Sequence, residues 1–210
     1  YMPMKGKTAF DIFFSPTLIT GAWDSRWNTK GMPETEKIIA DACAKHGARY
    51  KLVHKTPLEK SLVMKRSSRI VVDEMITGSY HLSGLEGLSQ GKPVLSYIDD
   101  RARSIMSHFS GTGVCPFINV RLEDAFAVLD YLLSHPDDAY DIGMEARSFV
   151  KKYWSQENLI KHFEDAYGKL ARDPRLIRRQ SELRIERPHN RFFASTLHDL
   201  IYASRKSRIP

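Results

Sequence analysis

The sequence predicts an α/β chain, a parallel sheet with helices on both faces, followed by a basic helical tail. Two observations carry this. Short apolar runs such as Ile70-Val71-Val72 and Pro93-Val94-Leu95-Ser96-Tyr97-Ile98 alternate with helical patterns and are bounded by turn residues. Strands buried on both faces have this look, brief and without polar alternation. The hydrophobic content is 42% of 210 residues, ample for one core, yet spread over short runs. None approaches the roughly 20 apolar residues of a membrane-spanning helix.

Taken in order, residues 8–15 (TAFDIFFS) read as the first strand. Residues 18–32 are loop-like, with Gly21, Asn28 and Gly31 as breakers and with Arg26 and Lys30 near their end. A helix then opens on Pro33, a residue tolerated at the first helical position, with Ile38, Ile39, Ala42 and Cys43 as its apolar face. Residues 50–53 form the second strand, and His54-Lys55-Thr56-Pro57 starts a helix that packs Leu58, Leu62 and Met64.

The third strand, 70–72, ends on Asp73 and is followed by a polar segment containing Gly78. Next come a short helix around Leu85, Glu86 and Leu88 closed by Gly91, a strand at 93–98 and a helix at 101–109. The turn Ser110-Gly-Thr-Gly113 lacks the spacing of a phosphate-binding loop and reads as a connector. A last strand spans 116–120. Apolar residues at 122, 125, 126, 129, 132 and 133 then mark a helix. Another starts at Pro136, breaks at Trp154-Ser155, and is followed by one over 157–170. Strand order is not legible at this level.

A loop at the carboxyl end of a parallel strand, feeding a helix N-terminus, is where open α/β sheets bind anions. Ser83 and Gly84 sit where backbone N–H groups would face a phosphate, and Gly78, Ser79, Tyr80 and His81 form the loop leading to them. Glu86, one turn into the helix, is an acceptor-only group suited to a pair of sugar hydroxyls. Arg26 and Lys30, just before a helix, suit a diphosphate, and by themselves read equally as two surface charges on a solvated loop.

The segment Glu86-Gly-Leu-Ser-Gln-Gly91-Lys92-Pro93-Val94 resembles a motif of retaining glycosyltransferases with the GT-B fold, the glycogen-synthase-like group. Asp73-Glu74-Met-Ile-Thr-Gly78-Ser-Tyr80-His81 is similar to the loop of one branch of that group, with His81 in place of its last glycine. The close from Gly143 (G-x-x-A-R-x-F-V … W-S … Y-x-x-L) is similar too, so the resemblance covers about residues 8–171. It implies one Rossmann-like half of a GT-B fold, the C-terminal, donor-binding half, over 1–172, with 173–210 as a basic extension. By the same resemblance Glu86 binds the ribose of a UDP- or GDP-sugar donor, and Lys30 and Arg26 the diphosphate. The loop carrying His54 and Lys55 passes the base. The group often has a second glutamate on the donor sugar, at the position held here by Gly78.

The resemblance further implies a metal-independent, retaining hexosyl transfer to a glycan, lipid or protein acceptor, with no cofactor beyond the donor substrate. An N-terminal GT-B half, in the same polypeptide or in a partner, would hold the acceptor. A non-catalytic nucleotide- or sugar-binding module and a nucleotide-sugar epimerase share the architecture and stand as alternatives.

The formal net charge is +7, and residues 171–210 hold ten Lys/Arg against four Asp/Glu, which leaves 22 against 21 elsewhere. A nearly neutral body argues against a nucleic-acid-binding fold. In the tail, residues 191–202 (RFFASTLHDLIY) predict an amphipathic helix that packs on a neighbouring domain or subunit; peripheral contact with an anionic membrane is its second reading. Cys43 and Cys115 fall in a predicted helix and strand without metal-ligand spacing, and no signal peptide is apparent, so a cytoplasmic, reducing setting is expected.

Overall fold

A computed structural model of the chain describes residues 8–17, 19, 30–177, 188–192, 196, 197, 199, 200 and 203. They form two compact units, Tyr1–His162 and Phe163–Pro210, and the whole sheet lies in the first.

In the first unit β1 (Ile12–Phe14), β2 (Tyr50–Leu52), β3 (Ile70–Val72), β4 (Val94–Ser96) and β5 (Ile118–Asn119) make a parallel sheet in the order β2-β1-β3-β4-β5. Between them run α1 (Glu34–His46), α2 (Leu58–Arg66), α3 (Leu82–Ser89) and α4 (Asp100–Ser110). After β5 a 3-10 turn, Leu122–Asp124, leads into α5 (Ala125–Ser134) and then α6 (Pro136–Tyr153). The helix α7 (Gln156–Arg172) spans the division between the units.

The three central strands β1, β3 and β4 feed two cores, which is why their residues are almost all apolar without alternation, whereas the edge strands β2 and β5 carry Lys51 and Asn119. Ile12, Phe14, Ile70, Val72 and Leu95 join Ile39, Ala42 and Cys43 of α1 and Leu129 and Leu132 of α5 on one face. Phe13, Val71 and Val94 point the other way, into a core with Leu88 of α3, Ala102 and Met106 of α4 and Ala146 of α6. On that second face α6 meets the turn after α3. A Cβ on Gly143 of α6 would lie 2.3 Å from the Gly91 carbonyl oxygen, and Arg147 one turn on donates to the Ser89 carbonyl. Only a glycine lets α6 approach that turn so closely.

Several boundaries differ from the sequence expectation. The first strand begins at Ile12 because residues 9–11 bond to other loops: Ala9 N–H donates to Ser67 O at 2.8 Å and Asp11 N–H to Arg49 O at 2.7 Å. α2 starts at Leu58 and not at His54, since Lys55 has φ of 47° and Pro57 is extended; a residue preceding proline is itself steered away from helix. Cys115, expected in a strand, lies in the segment leading to β5.

In the second unit Asp173 accepts the backbone N–H of Arg175 at 3.1 Å and its Nε at 2.8 Å, capping a turn at Pro174–Leu176. Pro188–Arg191 is helical (α8), and of the helix expected over 191–202, Leu197, Asp199 and Leu200 are helical; the other positions lie largely outside the described residues. Among the described residues no helix is long and apolar enough to cross a membrane.

Candidate functional site

The strand order reverses between β1 and β3, and in open α/β sheets the crevice beyond the carboxyl ends of such a pair is the ligand site. Three segments reach it: the approach to α1, the segment after β3, and α3.

Asp73, the first residue past β3, is fully buried. Its Oδ1 accepts Lys30 Nζ at 2.6 Å and its Oδ2 accepts the His81 N–H at 2.8 Å, while His81 Nδ1 lies 3.8 Å from Oδ1. Lys30 is itself only 3% exposed. Asp73 therefore ties the approach to α1 to the N-terminus of α3. Gly84 makes room for it, since a Cβ there would lie 2.6 Å from Asp73 Oδ2. The expectation of a free Gly84 N–H meets a different arrangement: that group donates to His81 O at 3.0 Å, closing the first turn of α3. The donor offered by this helix end to Asp73 is His81, its N-cap in extended backbone.

Glu74, also fully buried, shapes the loop. Its carboxylate accepts the backbone N–H groups of Ile76, Thr77 and Ser79 and the Thr77 hydroxyl, so peptide donors surround the charge. The loop is fastened to the end of β4: Tyr97 N–H donates to Glu74 O at 2.7 Å, and Ser96 Oγ donates to Glu74 O and Ser79 O. Gly78 sits at φ of 80°, and a Cβ on it would be 2.8 Å from Asp99 Cβ and 2.9 Å from Asp99 Oδ2. An acid at position 78 has neither the backbone nor the space, and the carboxylate beside this point belongs to Asp99. Tyr80 stacks on Phe117 with centroids 5.3 Å apart, and burial pushes its phenol pKa up. It is a strut for the loop.

Glu86 lies in the middle of α3 and is 6% exposed. Its Oε2 accepts Lys65 Nζ at 2.5 Å; Lys65 also donates to Ser83 O at 3.0 Å and Ser83 Oγ at 3.1 Å. Lys65 is 1% exposed and stands 5.3 Å over the Phe13 ring. Burial lowers its pKa, and the hydrogen bond to Glu86 opposes that fall.

The structure thus places Lys30, Ser83, Gly84 and the loop from Gly78 to His81 around the N-terminal end of α3, with Glu86 about one turn further along the helix. His54 lies on the neighbouring loop, its Nδ1 3.4 Å from the Pro16 carbonyl oxygen, and Lys55 beside it is exposed. Arg26 falls outside the described residues. Beyond β4 and β5 a cavity of about 490 Å³ is lined by Asp99, Arg101, Arg103, Asn119 and Arg121, with Arg121 Nη2 donating to Tyr97 Oη at 2.9 Å. Sequence reasoning missed the parts played by Asp73 and Lys65. A lysine three positions after Leu62, on the same helical face, was the available signal for the second.

No family model matches the chain, and no curated protein matches it. Solved structures do. TarM of S. aureus, crystallised with fondaparinux, α-GlcNAc-glycerol and UDP, is similar at 14% identity with a TM-score of 0.55, over 78% of this chain and 36% of that one. The O-GlcNAc transferase of Thermobaculum terrenum is similar at 16% identity with a TM-score of 0.53, over 80% of this chain and 37% of that one. The chain has the fold of one half of a GT-B glycosyltransferase. This GT-B half spans little more than a third of the length of the proteins it matches.

Proposed function

We propose that this GT-B half is the donor-binding part of a retaining glycosyltransferase, taking a UDP- or GDP-sugar and passing its sugar to a glycan, lipid or protein acceptor. The observation that carries the reading is Glu86, a buried carboxylate on α3, the helix that follows β3 at the reversal of strand order, in a fold shared with solved glycosyltransferases. The nucleotide lies across the carboxyl ends of β1 and β3. Glu86 accepts the ribose hydroxyls, Lys30 and Arg26 neutralise the diphosphate, and the loop from Gly78 to His81 with Ser83 and Gly84 borders the phosphates and sugar. The base passes the loop of His54 and Lys55. Cationic side chains and backbone N–H groups stabilise the leaving diphosphate. That acceptor and leaving group share one face of the sugar is what the resemblance to retaining glycosyltransferases implies. The acceptor is held by an N-terminal GT-B half, because one Rossmann-like half supplies one wall of the cleft in which both reactants must be aligned.

Calorimetric titration with UDP and GDP tests this. Glu86→Ala should weaken ribonucleotide binding by about 2 kcal/mol, roughly thirtyfold, since hydrogen bonds to a charged group are worth about 1.5–3 kcal/mol each and water compensates in part. Equal losses for ribose and dideoxyribose ligands would remove the assignment. Gly78, where the resembling enzymes often carry an acid, favours a binding module without transfer as the second reading. Turnover of labelled donor once an acceptor-binding half is supplied separates the two.

A further inference from the structure

Resting on that nucleotide-binding reading, we propose that Lys65 is a positioning residue of the site: it locks the Glu86 carboxylate through Oε2, so that Oε1 is the oxygen presented to the ribose. An ammonium group has three N–H donors. Those of Lys65 meet Ser83 O, Ser83 Oγ and Glu86 Oε2, and all three acceptors belong to α3. The side chain enters from α2, 1% exposed, and its position is set from below by the Phe13 ring of β1. No freedom is left to it. Glu86 is fixed on one oxygen only: among the described residues no donor reaches Oε1, although the residue is 6% exposed.

A ribose-binding carboxylate gains from such a hold. A free glutamate on a helix loses rotamer entropy when it orders on a ligand, whereas one already fixed does not. The lysine therefore acts through Glu86, without contact to the nucleotide. A salt bridge that merely joined α2 to α3 would affect stability and leave ligand preference alone.

The experiment compares the wild type, Lys65→Met and Ser83→Ala, titrating each with UDP, GDP and their 2′,3′-dideoxy counterparts by calorimetry. In the wild type the ribonucleotide should bind at least about tenfold more tightly than the dideoxy ligand, one charge-assisted hydrogen bond's worth. Lys65→Met should reduce that preference to about threefold or less while dideoxy affinity stays within about twofold. A folded Lys65→Met protein with the wild-type preference overturns the proposal. If Lys65→Met does not fold, Ser83→Ala decides: removing one of the three acceptors should lower the preference part-way, and an unchanged preference overturns the proposal. A wild type that binds neither nucleotide overturns the donor-binding reading and this inference with it. A wild type that prefers ribose while both variants do so equally overturns this inference alone.

Discussion

Lys30 Nζ and Asp73 Oδ1 lie 2.6 Å apart, with 3% and 0% of their side chains exposed. The pair joins the approach to α1 to the end of β3. Removing one partner of a buried pair leaves an uncompensated charge and costs about 3–5 kcal/mol, whereas replacing both is often far cheaper. Lys30→Met and Asp73→Ala should each destabilise the fold by about that range. The double variant should recover at least roughly 2 kcal/mol relative to the sum of the singles. Urea unfolding of the four proteins measures this, and strictly additive losses would mean that the two groups do not interact.

The same contact bears on ligand binding. Asp73 is a carboxylate already held by the cation and the helix end that a diphosphate would use, with His81 N–H on Oδ2 and Lys30 on Oδ1. It competes with the ligand. Asp73→Asn keeps the shape and removes the charge, so affinity for UDP or GDP should rise, by roughly tenfold if one charged hydrogen bond is transferred to the ligand. Binding of the parent nucleoside should not change. Weaker diphosphate binding by a folded Asp73→Asn protein would place Lys30 outside the anion site.

These two residues also mark what the sequence could not convey. The strands at 70–72 and 93–98 and the helix from Pro136 to Tyr153 were legible, because β-branched runs, an N1 proline and a regular apolar period are local signals. Strand order was not, since strands apolar on both faces carry no mark of which neighbour they take. Asp73 was visible as a strand end, but its partner Lys30 is 43 positions away and only the fold brings them together. The candidate site residues Glu86 and Lys30 were singled out by their chemistry beside helix starts and by a family likeness. That Glu86 would be gripped by Lys65 lay beyond any motif, because Lys65 is one of four charged residues in the nine of α2, with Glu59, Lys60 and Arg66, and nothing local marks which of them turns inward.

Two glycines should prove stringent and one indifferent. Gly78→Ala puts a side chain at φ of 80° with its Cβ 2.8 Å from Asp99 Cβ. Strain of that kind costs about 1–3 kcal/mol before the contact is counted. At Gly84 the backbone is helical, but a Cβ would stand 2.6 Å from Asp73 Oδ2, so the carboxylate must move and loosen its hold on Lys30. We expect Gly84→Ala to lower stability by about 2 kcal/mol, comparable to other overpacked buried positions. Gly113→Ala meets nothing within 4 Å and should change stability by less than about 1 kcal/mol, in either direction. Thermal unfolding of the three variants ranks them, and a Gly113 effect as large as the others would defeat the steric account.

Lys92, in the turn after α3, yields the last prediction. Its Nζ donates to Ser68 O at 2.5 Å and the residue is 6% exposed. Burial, with the nearby Arg66 charge as a second cause, lowers its pKa from 10.5 to about 8. The unfolded chain keeps the ordinary lysine value, so between these limits it holds a proton that the native state has released. Stability therefore rises with pH through that window. The contribution is complete above 10.5 and is lost as pH falls toward about 8. Its size is set by the two values and amounts to roughly 3 kcal/mol at most. Other titrating groups are common to wild type and Lys92→Met, so the difference between the two isolates Lys92. Urea unfolding at a series of pH values should show the wild type gaining on Lys92→Met only above about pH 8. A difference that is flat across this range, or that shrinks as pH rises, would mean that Lys92 is buried with its full ordinary basicity.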